Sequence, residues 1–174
     1  MKDLIKITEE EFGVILDLKY FTQNNIMNDL IYDKGYNFLH IEAANKLRES
    51  IKLAKEKGYK LKIFDAYRPI KYQQYLYDKF PGDYVSNPKT GSIPHCRGVA
   101  VDLTLVNSDG NELSMGTEFD DFSNKAHHGS RDVSILEQKN RSILLSIMLS
   151  SGWDFYRNEW WHYQLFNAKS YHII

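Results

Sequence analysis

The stretch Pro94–Leu105, PHCRGVAVDLTL, sets a carboxylate in the middle of what otherwise reads as a buried strand. Val99, Val101, Leu103 and Leu105 are apolar, with Ala100 and Thr104 between them, and this β-favouring run predicts a strand over 99–105. Asp102 interrupts it. A charged carboxylate in such a run is costly to bury unless an opposite charge meets it. The fold must therefore bring either a basic side chain or a metal ion to this point. His95 stands seven positions earlier, across Gly98.

Around this strand, helical and extended patterns alternate. Ile41, Ala44, Leu47, Ile51 and Ala54 recur at helical spacing and predict a helix over 40–57, stopped by Gly58. YKLKIFDAY alternates Leu61 and Ile63 with lysines and reads as a strand. Pro69 suits the first turn of a helix over about 70–79. PGDYVSNPKTGSIP carries three of the four prolines and predicts a long loop leading to His95. NSDGNE is a turn. Ser134 and Glu137 form a capping box for a helix to about Ser151, with Ile143, Leu144, Ile147 and Met148 on its buried side and Gly152 at its end. The aromatic run WDFYRNEWWHYQL predicts a last strand around 159–166. No linker, repeat or compositional shift divides the chain, so residues 1–174 are expected to form one α+β domain.

Charge excludes several functions. With 22 Lys+Arg against 23 Asp+Glu the net charge is −1, and no basic cluster with interleaved aromatics occurs, so nucleic acid is not an expected partner. No apolar run approaches the roughly 20 residues that span a bilayer. MKDLIKITEEEF lacks the apolar core of a signal peptide. The single cysteine, Cys96, rules out an internal disulfide framework. The expectation is a cytoplasmic protein that makes no membrane contact.

EWWHY then gives Asp102 further company, with Glu159 three residues before His162. His95, Asp102 and His162 would supply two imidazoles and a carboxylate, a set zinc accepts in catalytic sites that keep one position for water. Glu159 is placed to serve as the base beside the metal. Arg68 of DAYRP could stabilise an oxyanion or hold a carboxylate. Each has a plainer alternative: unrelated histidines, a surface glutamate, an Arg68–Asp65 ion pair. His127 and His128 are adjacent and would diverge on an extended segment, which argues against a metal pair. Cys96 reads as a small buried side chain, and Trp160 and Trp161 as core and pocket wall. Residues three apart on an ideal strand face opposite ways, so bringing Glu159 and His162 together requires a bend at 159–160.

Taken as a set, PHCRGVAVDLTL, DAYRP, MGTEFDDFSNKAHH and EWWHY resemble the D-alanyl-D-alanine dipeptidases, zinc peptidases of the D,D-peptidase/hedgehog-like fold. His95, Gly98, Ala100 and Asp102 match the family's Ser-x-His-x-x-Gly-x-Ala-x-Asp signature, and Glu159 and His162 its late Glu-x-x-His. LDLKYFTQNN resembles the family's N-terminal region. The resemblance implies a small, mainly antiparallel sheet flanked by helices. It implies one zinc ion held by His95, Asp102 and His162, with Glu159 as catalytic base and Arg68 as transition-state stabiliser. For the free amino group of a dipeptide substrate it implies Tyr20 and Asp120, with Asp121 the competing carboxylate. Ile93 stands where the family motif has serine. The alternatives are a D,D- or L,D-carboxypeptidase acting on peptidoglycan peptides and a zinc-binding module without turnover.

Overall fold

The structure is a computed structural model and describes residues 3–82 and 84–174. In chain order it comprises β1 (Leu4–Lys6), α1 (Glu9–Phe12), β2 (Ile15–Leu16), β3 (Phe38–His40), α2 (Ile41–Glu56), β4 (Lys60–Asp65), α3 (Ile70–Lys79), β5 (Ala100–Val106), α4 (Ile135–Ser150), β6 (Asp154–Phe155) and β7 (His162–Gln164). Five strands form the main sheet in the order β2-β4-β5-β7-β6, and β1 and β3 pair separately. All the main-sheet pairings are antiparallel except β2 with β4. This is the α+β architecture the sequence predicts.

Alternation along the central strands gives the sheet two different faces. Leu61, Ile63, Val101, Leu103, Leu105 and Tyr163 pack with Ala43, Ala44 and Leu47 of α2 and Leu144, Ile147 and Met148 of α4. The other face carries Asp102 and His162, which lie directly opposite each other in the β5–β7 register. Beyond it lies a second buried cluster of Tyr20, Ile31, Tyr32, Tyr36, Leu76 and Val85.

A one-residue irregularity decides what else stands on Asp102's face. Ile63 pairs with Leu103, but the next pair is Asp65 with Asp102, so Phe64 is an extra residue in β4. In an unbroken ladder Phe64 would oppose Asp102, and Asp65 would turn with Val101 towards the helices. The bulge brings Asp65 round to the Asp102 side.

The helices follow their end signals. Ser134 Oγ accepts from Glu137 N at 3.3 Å and Glu137 Oε2 accepts from Ser134 N at 2.7 Å, completing the capping box. Ser134→Ala is expected to lower stability by about 1 kcal/mol. Urea unfolding should show a lower midpoint with unchanged activity per folded molecule.

The last strand is shorter than the aromatic pattern predicts. It begins at His162, because residues before it turn: Glu159 N donates to Tyr156 O at 3.2 Å and Trp160 N to Ala126 O at 3.1 Å. The backbone of Trp160 is thus held by a loop, which overrides the β preference of its side chain. The bend expected at 159–160 is this turn.

Candidate active site

His95 reaches the sheet from a tight 3-10 turn, Pro94–Arg97, which Gly98 closes at φ +66°. A Cβ on Gly98 would lie 3.1 Å from His40 N, which only glycine avoids. The chain then enters β5 and brings Asp102 beside His95.

Three atoms able to ligate a metal converge. His162 Nδ1 lies 2.9 Å from Asp102 Oδ1, and His95 Nε2 lies 3.2 Å from Asp102 Oδ2 and 3.2 Å from His162 Nδ1. The outer ring nitrogens are engaged elsewhere: His95 Nδ1 with the Ala66 carbonyl at 2.6 Å, His162 Nε2 with Gln164 Oε1 at 3.2 Å. Both partners can only accept, so the outer nitrogens carry the protons and the inner ones turn lone pairs towards each other and the carboxylate. Such an arrangement calls for positive charge at its centre. Burial opposes ionisation of Asp102, yet when protons supply that charge the two imidazoles, then cationic, hold its carboxyl well below the usual range. Burial likewise disfavours charge on His162, and Asp102 overcomes it, so that the imidazole is raised. Two imidazoles and a carboxylate are a donor set suited to a divalent ion of the zinc type. Among the described residues, His95, Asp102 and His162 are the one group of metal-ligating side chains close enough to share an ion.

Glu159 stands just outside this set, with Oε2 3.9 Å from His162 Nδ1. Burial pushes its carboxyl up to about 8, against the pull of His162. Arg68 follows β4 and is buried. Its Nε and Nη2 donate to Asp65 Oδ2 at 3.0 and 2.8 Å, and Nη2 also lies 3.7 Å from Asp102 Oδ2. The Arg68–Asp65 ion pair and a place beside the ligand cluster are therefore both present. Tyr20 donates to Asp120 Oδ1 at 3.0 Å. Asp120 holds a left-handed backbone at φ +62°, and its other oxygen, Oδ2, is buried without a hydrogen-bond partner. Burial pushes this carboxyl up to about 8, with Arg68 and the Tyr20 hydroxyl opposing.

All seven candidates line one cavity of about 180 Å³. Asp121 does not line it, which separates it from its neighbour Asp120. His127 lies apart from the ligand cluster, its Nε2 3.2 Å from Tyr84 Oη, and the His128 ring packs edge-on against Phe155. Cys96 is buried, with its thiol pushed up to about 12 by burial. Trp161 is both core and cavity wall. Ile93 lines the cavity with φ +41°, a conformation that strains a β-branched residue. Sequence reasoning did not find Gln164, whose alternation with His162 in β7 is the available signal, nor Tyr32, which donates to Asp65 Oδ1 at 3.0 Å.

A paired-imidazole and carboxylate cluster with an uncommitted glutamate at its edge defines a metallopeptidase-type site. Comparisons with known proteins agree. A D-alanyl-D-alanine dipeptidase of Escherichia coli K12 is 38% identical over 160 residues, covering 91% of this chain and 82% of that protein. One from Enterococcus faecium is 34% identical over 176 residues, covering 88% and 86%. The LdcB LD-carboxypeptidase, from a structure described as revealing peptidoglycan recognition, shares the fold with a TM-score of 0.57. It is 18% identical, over 98% of this chain and 71% of the other. The chain belongs to the D-ala-D-ala dipeptidase family of peptidases, which it matches over residues 2–172.

Proposed function

We propose that this protein is a zinc-dependent dipeptidase that hydrolyses D-alanyl-D-alanine to two molecules of D-alanine, with residues 1–174 acting as one domain. The observation that carries the dipeptide reading is Asp120, whose Oδ2 is unpartnered in the same small cavity as the ligand cluster. An ammonium one residue from the scissile bond distinguishes a dipeptide from a longer chain ending in the same residues. A buried carboxylate oxygen with no partner is a fitting receptor for it. Pairing with that cation favours the ionised carboxylate and offsets the burial that raises it.

His95, Asp102 and His162 would hold the metal. When bound, zinc supplies a Lewis acid that brings the pKa of water down to about 7 and polarises the peptide carbonyl. Glu159 takes the proton from the attacking water and returns it to the leaving nitrogen as the C–N bond breaks. Arg68 faces the charge that develops on the carbonyl oxygen, while Asp65 keeps its guanidinium in place. Tyr20 orients Asp120. Ile93 offers an apolar wall where the family motif has a hydroxyl.

Among the described residues no helix is long and apolar enough to cross a membrane. The free, buried Cys96 supports a reducing, cytoplasmic setting.

The test is an end-point assay with D-Ala-D-Ala, its N-acetyl derivative, L-Ala-L-Ala and a pentapeptide ending in D-Ala-D-Ala, with and without chelator. Cleavage of the free D,D-dipeptide alone is expected, stopped by chelator and restored by zinc. Efficient release of D-alanine from the pentapeptide, or indifference to N-acetylation, would assign the protein to the carboxypeptidases instead.

A further inference from the structure

Gln73 sits in the first turns of α3, 3% exposed, and the mechanism above makes no use of it. Its two amide atoms are committed to different parts of the cavity. Oε1 accepts from Arg68 Nη1 at 3.1 Å, and Nε2 donates to the Ser86 carbonyl at 2.8 Å. Ser86 belongs to the irregular segment between α3 and the Pro94 turn, from which Tyr84, Val85, Ser86, Ser92 and Ile93 line the cavity. One side chain therefore spans from Arg68 to the loop wall opposite the sheet.

The geometry at Arg68 shows why such a span matters. Asp65 engages Nε and Nη2 through a single oxygen, Oδ2, and Arg68 Cζ lies over the Tyr20 ring, 5.0 Å from its centroid. A single carboxylate oxygen is a pivot, about which the plane can still swing. The bond from Nη1 to Gln73 adds a second fixed point on the far side. It also does so without charge, so the positive field of Arg68, already shared with Asp65 and Asp102, is not drained by a third carboxylate.

We propose that Gln73 is a positioning residue that couples the loop wall of the cavity to Arg68, so that substrate held by the wall meets a guanidinium already in register. The inference rests on the role given to Arg68 above. Its two halves have separate kinetic consequences. The Oε1 arm holds the group that acts in the transition state and bears on kcat. The Nε2 arm holds the wall that contacts bound substrate and bears on KM.

Gln73→Met keeps the length and burial and removes both bonds. With D-Ala-D-Ala as substrate, kcat should fall by about tenfold to a hundredfold, the scale of a small misplacement of a catalytic group, and KM should rise. Metal content should hold while Tm falls, because Arg68 Nη1 and the Ser86 carbonyl lose their partner. In an Arg68→Lys background the same substitution should change kcat by less than about threefold, since a residue that acts through Arg68 has nothing left to position. Gln73→Glu can accept from Nη1 but cannot donate to Ser86 when ionised. It should recover only part of the lost kcat, because the new carboxylate also draws on the positive field of Arg68, while loss of the Ser86 bond raises KM. It serves in the same cycle if the Met variant does not fold. An Arg68→Lys enzyme with unchanged kcat would overturn the role of Arg68 itself. A costly Arg68→Lys, combined with a Gln73 penalty that is absent or equal in both backgrounds, would overturn the coupling alone.

Discussion

Glu159→Gln is expected to fold normally, bind metal as the wild type does, and turn over D-Ala-D-Ala about 10²- to 10⁴-fold more slowly. That is the usual cost of removing a general acid–base group. The amide fills the same space in the buried turn before β7, so packing around Trp160 and Trp161 should be untouched. It cannot accept a proton from water. Burial and the neighbouring Asp102 and Asp120 carboxylates raise Glu159, while His162 beside it pulls the other way. The comparison is made by measuring kcat alongside metal content by elemental analysis. Near-normal turnover with metal in place would move the base to another residue.

The second large effect concerns the metal cluster. The wild type should purify with about one zinc per chain, and His95→Ala, Asp102→Ala and His162→Ala should each lose most of it, with activity falling to background. Asp102 is central because both imidazoles face it, at 2.9 and 3.2 Å. His127→Ala and Cys96→Ser should keep their metal, since neither residue belongs to the cluster. Gln164→Leu, which removes the outer partner of His162, should weaken binding by about 10- to 100-fold without abolishing it. Metal retained in Asp102→Ala but lost in His127→Ala would refute the ligand assignment.

Parts of this arrangement are legible from residue types and spacing. β5 announces itself by an apolar run, α4 by a capping box, and Asp102 by being a carboxylate in the wrong surroundings. His95, His162 and Glu159 join it because metal chemistry needs partners of their kind. Only the family resemblance points to Tyr20 and Asp120, because a tyrosine and an aspartate 100 residues apart leave no local trace of their hydrogen bond. β1, β2 and β3 have two or three residues each and are specified by their partners across the fold. The aromatic pattern overextends the last strand for a related reason: Trp160 has the side chain of a strand residue, and a distant carbonyl at Ala126 decides otherwise. Gln73 was invisible because its importance lies in two bonds to elements on either side of α3, and helical periodicity reports only that the position is buried.

The extra residue in β4 gives this site a dependence on parity. Cross-strand neighbours alternate faces with a period of two, so whether Asp65 looks at Asp102 or at the helices is an odd-or-even question settled by Phe64. Pairing Phe64 with Asp102 in a regular ladder would keep the strand, its apolar character and its length intact, yet would rotate Asp65, the anchor of Arg68, to the wrong side of the sheet. A transplant of the seven cavity residues together with Asp65, at their native spacing, onto a regular antiparallel ladder would fail in the same way, with every side chain present and Asp65 facing backwards. What must be copied with the chemistry is a miscount.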